Sequence, residues 1–218
     1  MKKIIIFGIN DFAELAHYYL LTDSIYEVVA FCVNHQYLPK DPIFKGLPIV
    51  SFEDVEKIFP TNEYSFFAPM APNKMNRIRE NIYNAIKQKG YSLISYISSK
   101  ATVFNNLIGD NCFILENNVI QPFTTIGSNV ILWSGNHIGH HSIIKNHLMF
   151  TSHVVLSGHC VINDYCILGV NSTVRDGITL AEGTFVGMSA SIIRNTEEWG
   201  LYMGNPAKKS EKSTVELL

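Results

Sequence analysis

Large apolar residues recur at every sixth position of the chain between Ile108 and Ile192. These fifteen anchor positions all carry an aliphatic side chain or phenylalanine: Ile108, Ile114, Ile120, Ile126, Leu132, Ile138, Ile144, Phe150, Leu156, Ile162, Leu168, Val174, Leu180, Val186 and Ile192. An α-helix buries residues at intervals of about 3.6 and an isolated strand at intervals of two, so a period of six fits neither. The pattern predicts a parallel β-helix, in which short strands coil around one axis and each turn buries its neighbour's apolar face.

Two further positions of the repeat support this coil. The residue two before each anchor is mostly small or apolar, as expected of side chains that turn inward at a tight corner: Cys112, Thr124, Val130, Ser142, Val154, Cys160, Cys166, Ser172, Thr184 and Ala190. Glycine follows the anchor at Gly109, Gly127, Gly139, Gly169 and Gly187. We interpret these glycines as corners that need unusual φ and ψ angles.

The residues before the repeat alternate between apolar strands and amphipathic helices. The predicted strands are Lys3–Phe7, Tyr26–Val33, Tyr64–Ala68 and Tyr91–Tyr96, and the predicted helices begin near Asp11, at Ser51 and at Asn73. This alternation is typical of a small parallel sheet of the Rossmann type. We therefore predict an α/β Rossmann-like domain at residues 1–98 and an all-β coil at residues 99–218.

Composition and charge exclude several classes of protein. The chain of 218 residues is 47% hydrophobic with a formal charge of −2. It has no basic excess that would suggest nucleic-acid binding and no acidic run that would suggest a disordered tail. No apolar stretch is long enough for a membrane span, and the apolar run in MKKIIIFGIN is too short for a signal peptide.

The four cysteines are Cys32, Cys112, Cys160 and Cys166. Three of them lie at inward positions of the repeat, and none has CxxC spacing. This indicates packing residues in a reducing compartment rather than disulfides or a zinc site, and we expect a cytoplasmic protein.

The turn after the first predicted strand is a candidate phosphate-binding loop, because its N–H groups lie at a helix N-terminus. Of the GxGxxG fingerprint only Gly8 is present, with Asn10 and Ala13 at the other places, which argues against a dinucleotide. Two interpretations of this turn stay open: a tight turn that binds no ligand, and a site for a nucleoside diphosphate. The candidate nucleotide-binding residues are Gly8, Asn10, Asp11, Phe12, Asn34, Lys74, Asn76 and Arg77. Alternatively, the last three residues are only the solvated start of a helix.

Six of the eight histidines lie between residues 137 and 159. In a three-sided coil, residues 18 apart lie one rung apart, at about 4.8 Å. His140 is therefore expected beside Gly158, and His141 beside His159. The remaining three are expected at corners or facing outward: His137, His147 and His153.

Two chemistries can use a histidine on such a coil. Zinc binding of the γ-class carbonic anhydrase type needs a histidine about two coils upstream, but residues 98–136 contain none, so we predict no metal. General-base catalysis needs one neutral imidazole that removes a proton from an attacking amine or hydroxyl. In acyl transfer His140 would be this base, and the N–H of Gly158 would donate to the oxyanion.

Four stretches of the chain resemble the bacterial sugar acyltransferase family named after the sialic acid O-acetyltransferase NeuD, which includes the PglD-like N-acetyltransferases of bacillosamine biosynthesis. They are IIIFGINDFAELA, VVAFCVNHQ, the hexapeptide coil and GNPAKK, so that the resemblance covers nearly the whole chain. Its most specific part is IGHHSII followed by LSG, which matches the family's catalytic histidine and the glycine whose N–H faces the thioester.

This resemblance implies a left-handed β-helix and a homotrimer with active sites between neighbouring coils. His140 would be the base, while the N-terminal domain would hold a nucleotide-activated amino sugar. Acetyl-CoA, as co-substrate, would lie along the coil near Gly158, Gly169, Gly187, Met188 and the loop Asn205, Pro206, Ala207 and Lys208.

The sequence departs from the family's pattern in three respects. The residue after the catalytic histidine is usually acidic and orients the imidazole, but here it is His141. The acidic pair common after the second strand is replaced by Val33 and Asn34, and Gly8 lacks its usual glycine companions.

The leading hypothesis is an acetyl-CoA-dependent N-acetyltransferase that acts on a nucleotide-linked amino sugar, such as a 4-amino-4,6-dideoxy sugar, for surface glycan assembly. An O-acetyltransferase would use the same histidine and coil, and the amine is favoured as the better nucleophile. A hypothesis from another class is a non-catalytic trimeric module that senses a nucleotide.

Overall fold

The computed structural model describes residues 2–217. Its N-terminal elements are β1 (Lys3–Phe7), α1 (Asp11–Thr22), β2 (Glu27–Val33), a 3₁₀ helix (His35–Tyr37), β3 (Ile43–Phe44), β4 (Leu47–Ser51), α2 (Val55–Ile58), β5 (Tyr64–Phe67), α3 (Arg77–Gln88) and β6 (Ser92–Leu93). They form a sheet of order β3-β4-β2-β1-β5-β6, parallel except for the β3–β4 hairpin. The prediction of a Rossmann-like α/β region is confirmed.

The remaining residues form a three-sided coil of short strands. These are β7 (Tyr96–Ile97), β8 (Thr102–Val103), β9 (Leu107–Ile108), β10 (Phe113–Ile114), β11 (Val119–Ile120), β12 (Thr125–Ile126), β13 (Ile131–Leu132), β14 (His137–Ile138), β15 (Ile143–Ile144), β16 (Met149–Phe150), β17 (Val155–Leu156), β18 (Val161–Ile162), β19 (Ile167–Leu168), β20 (Thr173–Val174), β21 (Thr179–Leu180), β22 (Phe185–Val186), β23 (Ser191–Ile192), β24 (Gly200–Met203) and β25 (Lys208–Ser213). A 3₁₀ helix (Thr214–Leu217) follows. The fold is the predicted left-handed parallel β-helix.

The anchors form the axis of this coil. From β9 to β20 each strand pairs in parallel with the strand 18 residues further on, so that Ile138 lies beside Leu156. Every anchor is the second residue of its strand, and all except the half-buried Ile108 are buried. Burial of each such side chain contributes roughly 1.5–3 kcal/mol. The four cysteines are free, buried thiols, as expected of packing residues.

The glycines after the anchors do not have unusual φ angles, so that expectation is wrong. Gly109, Gly127, Gly139 and Gly169 are required for space, because a β-carbon on Gly139, for example, would stand 2.5 Å from the carbonyl carbon of Ser157 on the next rung. The left-handed backbone falls instead three residues after every anchor except Ile192, with φ of 55° at His141. Asparagine and histidine tolerate this region better than most residues. The preference explains why histidine recurs at this corner position, in His141, His147, His153 and His159.

The second and third helices begin later than predicted. Ser51 ends β4, and its hydroxyl donates to Glu53 instead of capping α2, which starts at Val55. Residues 74–76 all have positive φ, a left-handed turn that cannot belong to a right-handed helix started at Asn73. Helix α3 therefore starts only at Arg77.

The predicted strand Tyr91–Tyr96 is two strands in different sheets. β6 completes the N-terminal sheet beside β5, whereas β7 pairs with β10 and starts the coil. The turn between them is where the chain passes from one architecture to the other.

The N-terminal domain covers one face of the coil, the covered sheet (β7, β10, β13, β16, β19, β22, β24 and β25). Outward residues of this sheet, such as Phe113 and Met149, are buried in one cluster with Phe31 of β2. The other two sheets are open, and their outward residues Ile143 and Val155 are 47% and 42% exposed. Among residues 2–217, no helix is long and apolar enough to cross a membrane.

Polar groups fix the two domains against each other. Arg79 is fully buried between them and donates from one terminal nitrogen to the carbonyl of Leu148 (2.8 Å) and the side chain of Asn76 (2.9 Å). Burial lowers the pKa of Arg79 to about 9. The side chain of Asn111 accepts from and donates to the backbone of Ala68, at 2.8 and 3.2 Å.

Candidate active site

The two open sheets meet at the edge of the coil opposite the covered sheet. We call this the histidine edge (residues 121–123, 139–141, 157–159 and 175–177). His140 lies here with an exposed side chain, and its backbone N–H donates to Oε1 of Gln121 at 3.0 Å. The ring lies against Gly158, where an added β-carbon would stand 2.7 Å from Cε1 and 3.0 Å from Nε2 of His140. The predicted contact between these two residues is confirmed.

The backbone N–H of Gly158 is available for a ligand. Most corner N–H groups donate to a carbonyl one rung away, as His159 does to His140 at 2.9 Å. Within residues 2–217, the Gly158 N–H makes no such bond. A free donor beside an imidazole is the arrangement that acyl transfer requires.

His141 contacts the candidate base directly, in the place of the family's acidic residue. The Nδ1 atoms of His140 and His141 are 3.0 Å apart, so one donates a hydrogen bond and the other accepts it. If Nδ1 of His140 carries the proton, its Nε2 lone pair is free to act as a base. A second imidazole can therefore set the tautomer of the first, although it brings no negative charge.

Aromatic rings stack along the histidine edge. Phe123, His141 and His159 follow one another at a spacing of 18 residues, with ring centroids 4.7 Å and 5.0 Å apart. The sequence spacing predicted the neighbourhood of His141 and His159, but did not single out Phe123 or Gln121. The same 18-residue spacing pairs Phe123 with His141 and could have found it, whereas Gln121 is 19 residues before His140.

The other histidines of the coil lie away from this site. His137 is half-buried on β14, and His153 is exposed at another corner, against Gly135. His147 is packed at the domain interface, where its Nδ1 lies 2.8 Å from Nδ2 of Asn129. Burial lowers the pKa of His147.

A second candidate site is a cavity of about 380 Å³ in the N-terminal domain. It lies at the carboxyl ends of β1, β2 and β5, where the direction of strand order reverses and α/β sheets bind ligands. Its lining is mainly apolar: Phe7, Gly8, Ile9, Asn10, Val33, Asn34, Tyr37, Met70, Ile78 and Ile82. Gly8 has φ of 111°, and Asn10 caps α1 by accepting from the N–H of Ala13.

Five of the predicted nucleotide-binding residues do not line this cavity. Phe12 packs edge-on against Trp133 of the coil, with ring centroids 5.6 Å apart, and Asp11 lies on the outer side of α1. The guanidinium of Arg77 lies 4.0 Å above the ring of Tyr165, at the domain interface. Lys74 is exposed in the left-handed turn.

Asn76 does not reach the cavity either. It is buried beneath the domain interface, where its side chain lies 3.4 Å from the carbonyl of Tyr165. The predicted helix start at Asn73 misplaced these residues, because it assumed a right-handed turn over residues 74–76.

Of the predicted acetyl-CoA residues, Gly158 lies on the histidine edge, and most of the others lie on a different edge of the coil. This glycine edge (residues 151–153, 169–171, 187–189 and 204–206) joins the covered sheet to the first open sheet. Gly169 lies directly against the backbone N of Met188, 2.6 Å from an added β-carbon, and Met188 is 75% exposed. Gly187 and Asn205 continue the same edge, since the carbonyl of Gly204 accepts from Ser191.

Below the glycine edge, the chain forms a second cavity of about 390 Å³. Pro206 and Lys208 line it together with Arg194 and Tyr202. The segment around the cis Asn205–Pro206 bond forms the rim of this cavity. The structure thus brings the predicted acetyl-CoA residues other than Gly158 together, but one face of the coil separates them from His140.

Comparison with known proteins supports the fold. The family described as bacterial transferase hexapeptide (six repeats) matches residues 107–140. A variant of perosamine N-acetyltransferase from Caulobacter crescentus, in complex with CoA and GDP-perosamine, has a TM-score of 0.83 with 21% identity over 96% of this chain and 97% of its own.

Two further structures have the same arrangement of domains. The acetyltransferase domain of PglB from Neisseria gonorrhoeae gives a TM-score of 0.81 at 21% identity, over 96% of this chain and 100% of its own. WeeI from Acinetobacter baumannii gives 0.80 at 16% identity, over 95% and 99%. The chain therefore contains the bacterial transferase hexapeptide repeat and has the fold of the bacterial sugar acyltransferases that its sequence resembles.

Proposed function

We propose that this protein is an acetyl-CoA-dependent N-acetyltransferase that acetylates the amine of a nucleotide-linked amino sugar, such as a dideoxy sugar used in surface glycan assembly. The observation that carries this proposal is the contact of the exposed His140 imidazole with Gly158, whose N–H has no protein partner within residues 2–217. It is supported by the similarity in fold to a perosamine N-acetyltransferase whose structure holds CoA and GDP-perosamine.

The reaction uses these two groups in the formation and the collapse of one tetrahedral intermediate. The amine nitrogen attacks the thioester carbon of acetyl-CoA, and Nε2 of His140 takes the proton that the nitrogen loses. The carbonyl oxygen becomes an oxyanion and accepts a hydrogen bond from the N–H of Gly158. Collapse of this intermediate breaks the carbon–sulfur bond and releases CoA, whose sulfur takes a proton from the protonated His140.

His141 positions the base. The two Nδ1 atoms are 3.0 Å apart. In the proposed mechanism, Nδ1 of His141 accepts from Nδ1–H of His140, which holds the Nε2 lone pair of His140 toward the reacting amine. This is the task of the acidic residue in the family that the chain resembles. A neutral acceptor stabilises the imidazolium that forms during the reaction less than a carboxylate does.

The nucleotide occupies the cavity of the N-terminal domain. Its apolar walls, including Met70, Ile78 and Ile82, suit the faces of a nucleobase, and Asn10 and Asn34 supply polar groups. The turn from Gly8 into α1, a helix of 12 residues, offers N–H groups to a phosphate.

The active site requires a second copy of the chain. The N-terminal domain covers one face of the coil, and the histidine edge is the edge opposite that face. A sugar held by the domain cannot reach His140 of its own chain. Three copies packed by their open sheets would bring the histidine edge of one coil to the glycine edge of the next, where Gly169, Gly187 and Met188 would hold acetyl-CoA.

His140→Asn tests the mechanism. The release of CoA is measured from acetyl-CoA and a panel of UDP-, dTDP- and GDP-linked amino sugars, in buffer with a metal chelator. Loss of a general base predicts a fall in kcat of about 100-fold or more. His153→Asn, a histidine at another corner of the coil, is the matched control and should retain wild-type turnover.

Three outcomes separate the hypotheses. Unchanged turnover in His140→Asn contradicts the mechanism. No turnover on any sugar, together with nucleotide binding by the wild type, favours the non-catalytic module. Since hydroxylamine cleaves esters and spares amides, an acetylated product that hydroxylamine destroys favours the O-acetyltransferase.

A further inference from the structure

Three imidazoles converge at the histidine edge. His140, His141 and His159 each offer one ring nitrogen, and these three nitrogens lie within 4.8 Å of one another. The Nδ1 atoms of His140 and His141 are 3.0 Å apart. All three side chains are exposed, so an ion in solution can reach them.

The backbone under this cluster is fixed. His159 donates its N–H to the carbonyl of His140 at 2.9 Å, and the next rung continues the ladder with Gly177 donating to Gly158 at 3.0 Å. His141 and His159 both hold the left-handed conformation, with φ of 55° and 56°. A rigid backbone holds the points of attachment of the three side chains at constant separation, which lowers the entropic cost of binding an ion between them.

The distances suit a metal ion. Zinc binds imidazole nitrogen at about 2.0–2.1 Å, so two nitrogens on one tetrahedral ion are separated by about 3.3 Å. The rings of His141 and His159 are stacked at 16°, and one must turn about its side-chain bonds before both lone pairs meet one ion. Exposed side chains make such rotations at little cost.

We propose that His140, His141 and His159 form a binding site for a divalent transition-metal ion, and that the bound ion inhibits the enzyme. Three neutral imidazoles without a carboxylate favour Zn²⁺, Cu²⁺, Ni²⁺ or Co²⁺ over Mg²⁺ and Ca²⁺, which prefer oxygen ligands. The ion takes a lone pair of His140 and separates it from His141, so the ring can no longer act as base. This inhibitory consequence rests on the proposed function, whereas binding of the ion does not.

Binding is tested without substrates on protein that carries no histidine tag. Zn²⁺ is titrated calorimetrically, and Co²⁺ is followed by its visible absorption, for the wild type, His159→Asn and His153→Asn. Asparagine tolerates the left-handed backbone that both histidines have, so either variant is expected to fold. His159→Asn removes one ligand and should weaken metal binding about 10–100-fold, at least as much as the loss of an outer-shell partner does. His153→Asn should bind the metal like the wild type. Equal affinity in all three proteins would overturn the proposal.

Inhibition is tested on the same variants. Wild type and His153→Asn should lose activity as Zn²⁺ is added and recover it with a chelator. His159→Asn, which does not contact the reacting atoms in the proposed mechanism, should keep its metal-free kcat and resist Zn²⁺ at about 10–100-fold higher concentration. Equal sensitivity of His159→Asn and the wild type would refute the inhibitory role. If no sugar is acetylated, the proposed function fails while the binding titrations still decide the metal site.

Discussion

The ring of His140 rests on the bare backbone of Gly158, with space for a hydrogen atom but not for a methyl group. A β-carbon at Gly158 would stand 2.7 Å from Cε1 and 3.1 Å from Nδ1 of His140. The backbone of Gly158 does not need glycine for its φ angle, since its φ lies outside the left-handed region. The constraint on this position is therefore the imidazole itself.

Gly158→Ala is expected to displace the ring of His140 and to leave the coil intact. A misplaced base and a crowded oxyanion donor should lower kcat by about tenfold or more, equivalent to about 1.4 kcal/mol in the barrier. Thermal unfolding should change little, because the added methyl group meets only a movable, exposed side chain. Wild-type kcat in this variant would show that the contact has no part in the reaction.

His141 is expected to act through its acceptor nitrogen. His141→Ala removes the hydrogen bond to Nδ1 of His140 and should lower kcat more than it raises the KM for either substrate. His141→Asn keeps a side-chain acceptor and suits the left-handed φ of 55°, so it should retain more of the activity. The measurement is kcat as a function of pH for both variants. Equal kcat values for the two would argue for packing instead of positioning.

The arrangement around His140 could be predicted because the coil is periodic. Once the anchors fix the rungs, residues 18 apart are neighbours, which placed Gly158 beside His140 and His159 beside His141. The same periodicity fixed the core, because each anchor is the inward residue of its strand. No comparable periodicity predicts which residues form the domain interface.

Two features of the N-terminal domain could not be predicted. Three consecutive left-handed residues, 74–76, precede α3, and no local sequence signal marks such a turn. It directs Arg77 toward Tyr165 and away from the nucleotide cavity. The docking of the domain on one sheet depends on outward residues such as Phe113, whose burial is decided by tertiary contact and not by the hexapeptide repeat.

The stability of the domain interface should decrease in mild acid because of His147. Asn129 accepts from Asn111 through its side-chain oxygen at 2.8 Å, so its nitrogen must donate to Nδ1 of His147. That acceptor role requires His147 to be neutral, and burial lowers its pKa. The unfolded chain therefore binds the proton more readily than the folded chain does. The stability that neutral His147 contributes is present above about pH 6.5 and is lost as the pH falls below that value.

Urea unfolding at several pH values measures this effect. The free energy of unfolding should decrease by up to about 1.4 kcal/mol per pH unit between the two pKa values of His147. His147→Asn should be less stable at neutral pH and show a shallower slope, with a remainder from His17, whose pKa is lowered by burial and by Lys45. His153→Asn, at an exposed corner, should keep the wild-type slope. An unchanged slope in His147→Asn would contradict this account.

Asn34 is expected to bind the nucleotide and not the acetyl donor. It lines an otherwise apolar cavity, and its side chain does not cap the following 3₁₀ helix, so its amide is free to bond a ligand. Asn34→Ala should raise the KM for the nucleotide sugar by about two- to tenfold, the cost of one hydrogen bond, and leave the KM for acetyl-CoA unchanged. Asn62→Ala, at an exposed turn of the same domain, is the matched control. A parallel rise in both KM values would mean that the cavity does not hold the nucleotide, because a substrate bound on a separate surface should not sense Asn34.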